Sequence, residues 1–223
     1  MRCGRRRANG NNEWAGPDMS GLSTAVAGML LTGSAALGPV SPVPPPPEQV
    51  AANCESPTYA SDVLACSDPA LLALDRQMST ALKTARLANS LAPSSLVEPQ
   101  DAWFRRRSLC AFSARHAACL RAAYEERLAI LDALAVPARD RQPPSLGAIC
   151  SDAPWSKSQV TIRFTEQGAA TIVDTDGRVV AAPTRRPPID DWSPYARFVV
   201  DGTAIRITTY AGLSFTCVTR DQD

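Results

Sequence analysis

The stretch CAFSARHAAC, from Cys110 to Cys119, brings together two cysteines, Arg115 and the only histidine of the chain, His116. Three chemistries use such a set: metal ligation, thiol–disulfide exchange, or a covalent staple between two helices. A structural zinc site needs four ligands, so Cys54 and Cys66 would have to complete it. Thiol exchange favours a C-x-x-C pair, and the sequence contains none. Serine or cysteine hydrolysis of the usual type would rest entirely on His116. The adjacent carboxylates Glu125-Glu126 sit on a predicted helix, where neighbours point apart, and read as a solvated face. Neither they nor Asp190-Asp191 mark the cleft that glycoside hydrolysis needs. No catalytic residue, no metal and no cofactor is therefore expected, and the protein is not expected to be an enzyme.

The compartment separates the three readings. Residues 1–36 read as an export signal region: Arg2, Arg5, Arg6 and Arg7 precede the uncharged run LSTAVAGMLLTGSAALG, and Ser34 and Ala36 fit a small-x-small cleavage site. The run is short for a membrane span, rich in small residues and followed by prolines, so no stable span is expected in the mature chain. The expected location is periplasmic or secreted, in a bacterial envelope. Setting Cys3 aside leaves six of the seven cysteines, an even number in an oxidising compartment, and the cysteines read as staples. Without residues 1–36, the 23 basic and 22 acidic residues fall to 19 and 20, a balance that leaves no electrostatic footprint for nucleic acid.

The elements that must position these residues change character along the chain. Residues 37–53 are a proline-rich spacer. From 54 to 136 the pattern is helical: a short helix near Ser61 to Cys66, then SDPALLALDRQMSTALKTARLA with Pro69 in its first turn. In the latter, Leu71, Leu74, Met78 and Leu82 share one face. A break at NSLAPSS leads to a helix with Trp103, Phe104 and Leu109. A last helix, from about Arg115 to Leu134, carries Leu120, Tyr124, Leu128 and Leu131. Residues 137–147 are a linker. From 148 to 223 the period falls to two, with six short strands separated by turns such as Asp176-Gly177 and Asp201-Gly202. Cys150 is expected before the first strand and Cys217 in the last, and a bridge between them would tie both ends of the sheet. The fold class is thus α+β, a disulfide-stapled helical bundle followed by a small antiparallel sheet or barrel.

Two charged stretches remain. FRRRSL, with Arg105, Arg106 and Arg107, reads as a helix surface paired with nearby acids, with Arg107 partly buried. The loop PTRRPPIDDWSPY combines Arg185, Arg186, Asp190, Asp191, Trp192 and Tyr195, a mixture suited to a protein contact. The competing reading is a solvent loop with Trp192 folded back on the sheet.

The helical segment resembles the N-terminal domain of the LprI-like lysozyme-inhibitor family of bacterial envelope proteins. The resemblance rests on Cys54, on Cys66, Leu74 and Asp75 in ACSDPALLALDRQM, on Trp103, Arg107 and Cys110 in QDAWFRRRSLC, and on Cys119, Leu120, Tyr124, Arg127 and Leu131 in CLRAAYEERLAIL. It covers roughly Cys54 to Leu134 and implies an exported helical domain without catalytic residues. Asp101 departs from the arginine that the family shows after its glutamine. The second half bears a faint resemblance to the MliC-type inhibitors of c-type lysozymes, through Cys150 and Cys217. Their loop survives at best as Ser193-Pro194-Tyr195, and the lysine that enters the lysozyme cleft is missing.

The resemblance places the family's cysteines at helix ends, so CAFSARHAAC becomes an inter-helix loop closed by Cys110–Cys119. With Cys54–Cys66 and Cys150–Cys217, this set keeps every bridge inside one domain, one choice among fifteen pairings. Trp103 and Tyr124 are expected to pack together or against Leu74. Asp75, Arg107 and Arg127 are expected at the core's edge, with a salt bridge from Asp75 to one of the arginines. The expected function is binding of a protein partner, a c-type lysozyme or related muramidase, through the 183–195 loop. Arg185 and Arg186 would act as the probe, Asp190 and Asp191 as an acidic rim, and Trp192 and Tyr195 as the anchor. The alternative is an envelope module that binds another protein or a wall glycan.

Overall fold

Asp68 and Pro69 precede the apolar stripe from Leu71 to Leu82, and the local chemistry fixes the start of its helix. The Asp68 carboxylate accepts the backbone N–H groups of Ala70 and Leu71, and Pro69 occupies the first turn, where no donor is needed. The computed structural model describes residues 49–89, 91–136, 145–155 and 158–220. The expected export signal, most of the proline-rich spacer and residues 137–144 of the expected linker lie outside them. Four helices are described: α1 (Ala60–Ser67), α2 (Pro69–Ala88), α3 (Gln100–Ser108) and α4 (His116–Ala135), with a 3-10 turn at Leu109–Phe112 between the last two. None is long and apolar enough to cross a membrane.

The break expected at NSLAPSS holds a strand instead, β1 (Leu91–Leu96). Seven more follow: β2 (Ser145–Ser151), β3 (Gln159–Phe164), β4 (Ala170–Asp174), β5 (Val179–Ala181), β6 (Ala196–Asp201), β7 (Ala204–Thr209) and β8 (Ser214–Thr219). They form one sheet in the order β1-β5-β4-β3-β2-β8-β7-β6. All pairs are antiparallel except β1 with β5, which run parallel with Leu91 opposite Val179 and Leu96 opposite Ala181. Gly177 and Gly202 hold positive φ (77° and 58°) in the turns after β4 and β6, as their Asp-Gly pairs predict. The sheet curls into a half-barrel. Thr184 draws its ends together, donating its N–H to Ala196 and accepting from Phe198 on β6, while its neighbour Pro183 accepts from Ala170.

The three bridges are Cys54–Cys66, Cys110–Cys119 and Cys150–Cys217. Cys150 lies within β2 rather than before it, directly opposite Cys217 on β8, because the strand already begins at Ser145 inside the expected linker. The short loop closed by Cys110–Cys119 contributes about 2–3 kcal/mol by removing freedom from the unfolded chain.

The described residues form one compact unit. Its core has two chambers. Ile162, Ile172, Phe198, Ile205, Ile207 and Phe215 fill the half-barrel around Cys150–Cys217, together with Ala92 of β1. Leu71, Met78, Trp103, Phe104, Tyr124 and Leu131 fill the helical chamber, and Val173, Val179, Ala182 and Trp192 enter it from the sheet side. Strand β4 separates the chambers and is buried on both faces, with Ile172 turned one way and Val173 the other.

Candidate functional site

Two buried ionic networks organise the helical layer. In the first, Asp62 on α1 and Asp75 on α2 flank Arg107 on α3. Asp62 takes a charge-assisted bond from Arg107 and accepts N–H groups from the Gln49 side chain and the Thr58 and Tyr59 backbone, at 3.0–3.2 Å. Asp75 accepts the Ala52 N–H at 3.0 Å and the Tyr124 hydroxyl at 2.8 Å, with Arg107 at 3.6 Å. Arg107 in turn donates to the Tyr124 oxygen and lies over the Phe104 ring at 4.3 Å. Burial raises the Asp75 pKa in spite of these donors, and burial also raises that of the Tyr124 phenol, which stays protonated.

Trp103 meets Tyr124 edge-on at 5.5 Å, as expected, and the Asp75–Arg107 contact is present. Asp75, Arg107 and Arg127, however, are fully buried and do not lie at the core's edge. Each faces partners supplied by a second element, carboxylate with guanidinium for Asp75 and Arg107 and neutral oxygens of Gln100 and Glu98 for Arg127.

The second network joins the helices to the sheet. Arg106 grips Glu98 bidentately at 2.8 and 2.7 Å, reaches Glu126 at 3.4 Å and donates to the Ser193 carbonyl at 2.5 Å. Its guanidinium lies 3.8 Å from the centre of the Trp192 ring, and the Trp192 indole N–H donates to Glu126 at 2.5 Å. The second Glu126 oxygen accepts the Tyr195 backbone N–H at 3.0 Å. Burial opposes the charge on Arg106, but its two carboxylates outweigh that and raise its pKa. The solvated-face readings therefore need correction at Arg106 and Glu126: Glu126 is buried and Arg106 keeps only 9% of its side chain exposed. Arg107, expected to be partly buried, is fully so, whereas Arg105 does pair on the surface with Asp101, at 2.9 Å.

Burial raises the Glu126 pKa above the ordinary glutamate value, and Arg106 and two N–H donors only partly oppose it. Folding then takes up a proton between the two values. The contribution of Glu126 to stability is full below the unfolded value and declines as pH rises through the folded one. Against the non-titrating Glu126→Gln variant, the stability advantage of the wild type is expected to be larger at pH 4 than at pH 7. Asp75 shifts in the same direction but is present in both proteins and cancels. Urea unfolding at the two pH values measures the difference. An advantage that grows towards pH 7 would show that the donors favour the ionised carboxylate.

The 183–195 loop is spread across this second network. Trp192 is folded back, onto the helical layer rather than the sheet, and Tyr195 is half-buried. Arg186 pairs with Glu125 on α4 at 2.9 Å, while Arg185 is exposed and makes no ion pair among the described residues. Asp190 and Asp191 both hold positive φ, 52° and 65°, at the centre of a two-residue turn closed by reciprocal hydrogen bonds between Ile189 and Trp192. That turn is tied to the opening motif. Arg115 pairs with Asp190 at 2.5 Å, and the Ser113 hydroxyl donates to Asp191 at 2.6 Å.

The Cys110–Cys119 loop and the Ile189–Trp192 turn thus make one braced surface. Phe112 is 81% exposed on it, Leu109 57% and Ile189 54%. His116 is exposed at the start of α4. Among the described residues no group of histidines, cysteines or carboxylates has metal-binding geometry. Leu109, expected on the helix of Trp103 and Phe104, lies in the 3-10 turn and is exposed, and Phe112 was missed because an apolar residue beside a cysteine looks like core. The bridge turning the 3-10 segment outward was the signal. No family model matches the chain, and no curated protein or solved structure matches it.

Proposed function

We propose that this is an exported binding protein that engages a c-type lysozyme or a related muramidase through the braced surface around Phe112 and Ile189. The observation that carries this reading is the pair of exposed apolar residues on a segment held by a disulfide and two side-chain contacts. Such preorganisation lowers the ordering cost of binding. Asp190 and Asp191 border the apolar residues, which suits the basic surface of a lysozyme, and Arg185 is the exposed basic group of the same loop. Arg107 and the other motif residues keep the helical layer in shape and contribute no catalytic group.

The purified protein is expected to lower lysozyme turnover at near-stoichiometric amounts. Phe112→Asp is expected to weaken inhibition by about tenfold or more, the scale of an interfacial hot spot, with unchanged thermal stability. The double variant Arg185→Ala, Arg186→Ala reports separately on a basic probe. Equal inhibition by wild type and Phe112→Asp would place the contact elsewhere.

The burial of Trp192 and the missing lysine favour a second reading, an envelope module that binds another protein or a wall glycan. In that case lysozyme activity is unaffected, and the exported protein co-purifies with a wall or membrane partner.

A further inference from the structure

Arg107 and Arg127 are buried arginines of the helical layer and Arg106 keeps 9% of its side chain exposed; of the three, only Arg127 lacks a carboxylate within ion-pair distance among the described residues. Its Nε and one terminal nitrogen donate to the Gln100 side-chain oxygen, at 3.1 and 2.7 Å, and the other terminal nitrogen donates to the Glu98 carbonyl at 3.0 Å. One N–H on each terminal nitrogen is left without a partner among the described residues. Burial lowers the Arg127 pKa to about 10, which still leaves a cation at neutral pH.

Arg127 also lines a cavity of about 640 Å³ between α2, α4 and β1. Leu82, Ala85, Leu91, Val97, Leu131 and Leu134 supply an aliphatic wall, and the side chains of Asn89, Ser95, Gln100 and Tyr195 add polar groups beside it. Its charged lining is Arg127, Arg86 and Glu98, and the Glu98 carboxylate is already gripped by Arg106. A chamber of this size falls within the range of small-molecule sites, which combine apolar walls with few fixed polar groups. Aliphatic walls select a hydrocarbon chain, and a guanidinium with donors to spare selects a carboxylate.

We propose that this cavity binds a free aliphatic carboxylate of the fatty-acid class, with its chain between α2, α4 and β1 and its head group on Arg127. The site is independent of the braced surface around Phe112 and does not rest on lysozyme binding.

Calorimetric titration of the full chain at pH 7 with decanoate, decanol and decyltrimethylammonium tests it, with the two ionic ligands below their micellar concentrations and decanol below its solubility limit. Decanoate is expected to bind at one site per chain, and the alcohol and the cation to bind at least about tenfold more weakly. Ala85→Leu narrows the chamber and leaves Arg127 in place, so it is expected to weaken decanoate by a similar factor while the circular dichroism spectrum is retained. The comparison of head groups on the wild type needs no variant. No decanoate binding, equal binding of decanoate and decanol, or full affinity in a folded Ala85→Leu protein would each overturn the proposal.

Discussion

Replacing Arg107 by methionine is expected to lower the unfolding free energy by about 3–5 kcal/mol, the cost of removing one partner from a buried ion pair. The variant keeps most of the side-chain volume and deletes the charge between Asp62 and Asp75, both of which are buried. Asp62 would keep its three N–H donors and Asp75 would keep Ala52 and Tyr124, so neither carboxylate loses all its bonds. Both would lose the only cation that faces them among the described residues. Denaturant unfolding at pH 7 measures the loss, and a change below about 1 kcal/mol would class the pair with solvent-exposed ones.

Trp103→Ala is expected to cost a similar amount, about 3–5 kcal/mol, by a different route. The indole is 1% exposed and meets Phe104 at 5.2 Å and Tyr124 at 5.5 Å, so truncation leaves a void that the surrounding rings cannot close. Its ring nitrogen has no hydrogen-bond partner among the described residues, so the loss is one of packing. Unchanged thermal stability would mean that the ring faces solvent. Arg107 lies 5.2 Å from the Trp103 ring, so the two substitutions are expected to be non-additive when combined.

The features legible in the sequence are those set by local chemistry. The Asp68 cap, Pro69 and the stripe from Leu71 to Leu82 define α2 wherever it packs, and the alternation in QVTIRF or SFTCVT defines β3 and β8. The cysteine pairs were not fixed by local chemistry: the three bridges are the expected set, which was one choice among fifteen. Features fixed by distant partners were not legible. LAPSSL carries a proline and two serines and has turn composition; it is a strand only because β5 offers an edge to it. Within FRRRSL, three arginines of one type have different fates because helix geometry turns Arg105 to solvent, Arg106 to the sheet and Arg107 into the bundle. Glu125 and Glu126 diverge for the same reason, the first towards Arg186 and the second towards Trp192. The 183–195 loop was recognisable as unusual, but its composition does not distinguish a brace from a binding loop.

The parallel pairing of β1 with β5 has a kinetic consequence. Leu91 meets Val179 only after the intervening helices and three further strands have been synthesised, and non-local pairings of this kind must pay their loop-closure entropy before any contact rewards it. Synthesis runs from the N-terminus, so α1 to α4 emerge with their local cysteine pairs already able to close. Yet the helical chamber still lacks Val173, Val179 and Trp192, which arrive later. Until then the Leu91–Leu96 segment has no strand to pair with, and the first half of the chain must wait for the second before either reaches its final packing.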